Sequence, residues 1–152
     1  MSPTLVQCRR RLAVIWFAAA ALILLILLLQ TLVGNFDPAY VQRAWSWFFP
    51  SVMPTLLLMF GVLVTDAATA ATGTNVSAPA DPFLFRLTIG ISLVYLGILL
   101  LVLLAQPMAG GTSQSRIATL NQSEYFLGPF QGLVAASMGA FFLKRKEHGE
   151  AG

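Results

Sequence analysis

Few side chains in this sequence could do chemistry, and their spacing leaves most of them without a partner. There is one cysteine, Cys8, and one histidine, His148. A lone cysteine forms no internal disulfide and no dithiol redox centre, which excludes quinone-linked disulfide exchange. Cys8 lies just ahead of the first apolar block, where a thiol can be reversibly palmitoylated. An unmodified juxtamembrane cysteine is the simpler expectation. His148 stands in a charged C-terminal segment, away from every apolar run. Haem ligation within a bundle and histidine-based metal sites are therefore not expected. No P-loop, G-x-S-x-G or H-E-x-x-H string is present. Asn75-Val-Ser77 and Asn121-Gln-Ser123 match the glycosylation acceptor pattern. The topology argued below leaves only the second on the outer face. The sequence thus predicts no catalytic residue, no cofactor, no metal site and no enzyme.

Three polar groups lie close to or within apolar runs. Asp66 falls just past one run and is the nearest thing to a coupling carboxylate. Arg86 falls in the first turn of another, where its long side chain can snorkel to headgroups. Gln131 lies inside the last run, and an amide in hydrocarbon needs a hydrogen-bond partner. A backbone carbonyl or interfacial water is the first expectation for it; a polar contact between helices is the second, and a pore or ligand role the third.

Gln131 belongs to an unusual stretch, YFLGPFQGLVAASMGAFFLKRK, residues 125–146. Tyr125 to Leu143 carries no charge, yet Gly128, Pro129 and Gly132 interrupt it. At roughly 100° per residue, Gly128, Gly132, Ala135, Ala136 and Gly139 fall within an arc of about 100°. Phe130, Val134, Ser137 and Phe141 fall opposite. Helix association in lipid depends on close van der Waals approach, so a small-x-x-x-small face reads as a helix-packing surface. The partner lies in another chain or in the same one, where Gly90 and Gly97 share a face of the preceding run. On this reading lipid tails fill the bulky side.

The elements that must carry these residues are membrane-length helices. Apolar residues make up 57% of the 152 and charged residues 10%, against roughly 25% charged in a soluble domain. Leu12 to Leu29 lacks any polar side chain, and about 20 residues cross a hydrocarbon core. That run is too long for a signal peptide and lacks a good cleavage site, so a retained helix is predicted. The predicted spans are 12–33, 45–64, 83–105 and 125–143, within a single membrane domain, 1–152. An amphipathic segment, 38–49, is predicted to lie in the interface, with Trp45 and Trp47 as belt residues. Asp37-Pro38 and Asp81-Pro82 read as helix starts. Pro50 and Pro54 deprive the carbonyls of Ser46 and Pro50 of their helical partners, predicting a kink or, alternatively, a break. Residues 65–81 and 106–124 read as polar loops, with Asn121 or Ser123 capping the last helix. The halves share a two-span pattern but show no convincing inverted repeat.

Charge placement orients the chain. With four spans, Arg9, Arg10, Arg11, Arg86, Lys144, Arg145 and Lys146 share one side, and only Arg43 and Arg116 the other. Both basic clusters abut membrane-length segments without interleaved aromatics, so they read as topology signals and predict no nucleic-acid partner. The expected fold is all-α: a polytopic integral membrane protein of four transmembrane helices in a compact bundle, with N- and C-termini cytoplasmic. The expected location is the cell membrane, a bacterial inner membrane on the Ala/Leu-rich composition. The expected function is a non-catalytic helix-packing subunit or scaffold, its partners the bilayer and either itself or another membrane protein. A homo-oligomeric, holin-like or effector pore is the alternative.

Overall fold

The computed structural model describes residues 5–34, 36–71, 81–108 and 112–143. The basic cluster Lys144, Arg145 and Lys146, the histidine His148 and the acceptor pattern at Asn75 lie outside the described residues. Four helices form: α1 (Leu5–Leu32), α2 (Pro38–Ala71), α3 (Pro82–Ala105) and α4 (Ser113–Leu143). A short 3₁₀ turn, Gln106–Met108, follows α3. Among the described residues, three segments are long and apolar enough to cross a membrane: Val6–Leu32, Pro38–Ala68 and Pro82–Met108. The chain is thus a helical bundle with the character of a membrane protein. The predicted fourth span is the C-terminal part of α4, which is not one of those three.

Helix starts follow local chemistry. The Asp81 side chain accepts bonds from the amides of Phe83, at 3.0 Å, and Leu84, at 3.4 Å, with Pro82 in the first turn. This is the predicted cap, and it satisfies donors that a helix start leaves orphaned. The predicted start at Pro38 also holds. Gly34, at φ +77°, ends α1 in a conformation that favours glycine.

Three expectations are corrected. First, α2 is one continuous helix through Pro50 and Pro54, so no break occurs and the segment 38–49 belongs to the long helix. Trp47 is not a belt residue. It is buried, as are Ala44 and Phe48. Second, residues 65–71 are helical. Their alanines are strong helix formers, and nothing there stops the helix. Third, most of the predicted loop 106–124 is the first part of α4. The cap is Thr112, whose side-chain oxygen accepts the Ser115 amide at 3.4 Å. Asn121 and Ser123 lie inside the helix.

Helices α1 and α2 form one antiparallel hairpin and α3 and α4 another. Among the described residues α1 packs on α2 and α3, and α4 packs on α2 and α3, so the order around the bundle is α1, α2, α4, α3. Three hydrogen bonds set the register: the Gln106 side-chain amide donates to Gln30, the Asp37 backbone amide to Ser113 Oγ, and the Trp47 indole to Ser123 Oγ. All three join residues 76 apart. The hairpins therefore run in the same direction, unlike an inverted repeat. Trp16, Trp47, Tyr95 and Phe48 are the largest side chains buried between them. Trp16 stacks on Tyr95 with ring centroids 5.9 Å apart, a favourable offset arrangement.

Candidate functional site

Two of the polar arrangements that join the helices involve residues marked by the sequence, and α4 leaves its small face open. The first arrangement joins α1 to α2. Arg9 Nη1 donates to both carboxylate oxygens of Asp66, at 2.8 and 3.1 Å. The two side chains are 5% and 13% exposed, so the pair is largely withdrawn from solvent. The antiparallel hairpin explains the meeting: it brings the start of α1 level with the last turns of α2. Arg9 is therefore not simply one of the water-facing topology residues. Arg10 and Arg11 are exposed beside it. Charges taken out of water are tolerated when paired and hydrogen-bonded, and removing one partner of a buried pair costs about 3–5 kcal/mol.

The second arrangement surrounds the two prolines inside α2. Pro54 has no amide hydrogen, so the carbonyl of Pro50 lacks its helical donor. Gln131 Nε2 on α4 donates to that carbonyl at 2.7 Å. The contact meets two expectations for Gln131 at once, since the acceptor is a backbone carbonyl and it lies on another helix. Next to it, the Tyr95 hydroxyl on α3 donates to the Ser51 carbonyl at 2.8 Å, crossing the bundle. The Trp47 indole N–H donates to Ser123 Oγ at 2.9 Å. Three helices thus meet around backbone that two prolines have disturbed. In hydrocarbon such neighbours are what makes intrahelical prolines tolerable.

The sequence marked both Pro50 and Gln131 but not their meeting. Nothing marked Tyr95, Ser123 or the Arg9–Asp66 pair as a site. One signal was available for α4. Ile117, Leu120, Leu127, Val134, Met138 and Phe141 are all buried and recur at helical spacing, with the first two ahead of Tyr125.

The predicted small face lies on the outside. Gly128, Gly132, Ala135 and Ala136 are exposed and Gly139 is half-buried. A Cβ added at Gly128, Gly132 or Gly139 would meet no neighbouring atom within 4 Å. The same holds for Gly90 and Gly97, both exposed on α3. Packing of the small face against Gly90 and Gly97 within the chain is corrected accordingly. The lipid-facing assignment of the opposite side is corrected for Val134 and Phe141, which are buried against the other helices, whereas Phe130 is exposed. Bulky side chains fill the space between helices whose contact partners are also bulky, as Phe141 does against Phe85 at 5.9 Å. That packing turns the glycines outward. Arg86 is exposed near the start of α3, as snorkelling requires.

No protein-family model, curated protein or solved structure matches this chain.

Proposed function

We propose that the chain is a non-catalytic, helix-packing subunit of a membrane complex. It crosses the membrane four times, with both termini on the cytosolic side, in the inner membrane of a bacterium. It associates with another membrane protein, or with itself, through the outward small face of α4. The observation that supports this is the division of labour on that helix. Its bulky side already holds α4 in the bundle, while Gly128, Gly132, Ala135 and Ala136 stand open on the other side. Backbone exposed by such a series can approach a second helix closely, which is the main source of helix affinity in lipid. The uncharged run from Tyr125 to Leu143 supports a membrane location for this part of α4. The pore alternative has less to rest on, because Gln131, which motivated it, is engaged by the Pro50 carbonyl.

The test is Gly132→Ile in the full chain, examined by co-purification and cross-linking in mild detergent. Because the position is open, the chain should fold as before and association should drop. Unchanged association, or a chain that remains monomeric and partnerless before mutation, counts against the reading.

A further inference from the structure

Two of the grooves at the end of the bundle that holds Arg9 and Asp66 pair an apolar wall with an exposed arginine. The larger, about 630 Å³, runs between α1 and α2. Val6, Ala13, Val14 and Phe17 wall it from α1, and Leu63 and Ala67 from α2. The α1 residues keep to one helical stripe, so the groove follows the helix axis. From Arg10 to Phe17 it extends roughly 10 Å at about 1.5 Å per residue. That elongated, apolar form suits an acyl chain.

Its charged end is distinctive. Arg10 and Asp66 both line the groove, but the Asp66 carboxylate is bonded to Arg9. The charges of Arg9 and Asp66 offset each other, and the positive charge of Arg10 remains, with exposed Arg11 next along the chain. A guanidinium matches the geometry of a phosphate and stays charged at all working pH values. A smaller groove of about 350 Å³, between α3 and α4, repeats the plan with Arg86 beside Leu87 and Val94. Arg86 and Arg10 share the register that pairs Gln30 with Gln106, so the two arginines lie at one level of the bundle.

We propose that the α1–α2 groove binds one anionic phospholipid, its acyl chain along Val14 and Phe17 and its phosphate on Arg10. The proposal rests on α1 and α2 crossing a bilayer, and it does not depend on the small face of α4. A headgroup at Arg10 would lie beside the Arg9–Asp66 pair and link lipid composition to the lock between the first two helices.

The test uses the full chain purified in mild detergent, in an Arg86→Gln background so that the smaller groove does not contribute. It is incubated with equal amounts of phosphatidylglycerol and phosphatidylcholine, and retained lipid is counted by native mass spectrometry. Preference for phosphatidylglycerol should be about five-fold, the scale expected for one basic residue near a lipid surface. Arg10→Gln should abolish that preference, while Arg43→Gln, at the other end of the bundle, should keep it. Val14→Trp, at an exposed position that fills the groove, should lose both lipids without disturbing helical content. Equal retention of the two lipids, an unchanged preference in Arg10→Gln, or full retention in Val14→Trp would overturn the proposal. So would efficient disulfide dimers of a Val14→Cys, Cys8→Ser chain in vesicles, since a second copy would then cover the groove. Gly132→Ile should leave lipid retention unchanged, so this result and the association of α4 are separable.

Discussion

Gln131 on α4 repairs the backbone of α2 at Pro50, four residues before the proline that damages it. Its amide donates at 2.7 Å to the carbonyl that Pro54 leaves without a helical donor. The prolines and the glutamine form one unit, although 81 residues separate donor and acceptor.

That unit predicts a specific coupling. Gln131→Leu should destabilise the bundle by ~1 kcal/mol or less, the scale of hydrogen bonds between helices in a membrane. Pro54→Ala restores an amide hydrogen to α2. In that background Gln131→Leu should cost much less. A double-mutant cycle on unfolding in detergent measures the difference. Additive effects would show that Gln131 does not serve the proline.

The Arg9–Asp66 pair predicts an asymmetry between single and double changes. Asp66→Asn leaves a buried guanidinium without its counter-charge and should destabilise by about 3 kcal/mol or more. Arg9→Met should behave similarly by stranding the carboxylate. Arg9→Met combined with Asp66→Leu should recover most of the loss, because apolar replacement of a buried pair is often neutral. Thermal unfolding of the four proteins in one detergent decides this, and a double variant as unstable as the sum of the singles would contradict it.

The proposed four-span topology predicts that reporters at the two chain ends lie on the same side of the membrane. A reporter in the 106–112 connection should lie on the opposite side. A C-terminal reporter across the membrane from the N-terminal one would remove α4 from the spans and, with it, a lipid-buried location for the small face. Moving positive charge tests the cause: Arg10→Gln with Arg11→Gln should lower the fraction of chains in the predicted orientation.

The sequence by itself determined that four helices occur and where two of them, α2 and α3, begin. Long apolar runs have no stable alternative to a helix in hydrocarbon, because every amide must be satisfied within the segment. Asp81-Pro82 places a side-chain acceptor against orphaned amides, so it is legible from two residues. The separation of small and bulky faces on α4 was equally legible, because helical periodicity fixes it. Which face turns inward was not. Both faces of α4 beyond Tyr125 are uncharged, so polarity does not choose between them, and only the shapes of α2 and α3 could. The same reasoning covers the loops that proved helical. Residues 65–71 and 113–124 lack a strong apolar signal, yet good helix formers and a buried Ile117–Leu120 stripe carry the helix through them. Arg9 meeting Asp66, and Gln131 meeting Pro50, are long-range pairings decided by hairpin register. Only the tertiary structure could set that register, because it depends on how four helix surfaces fit at once.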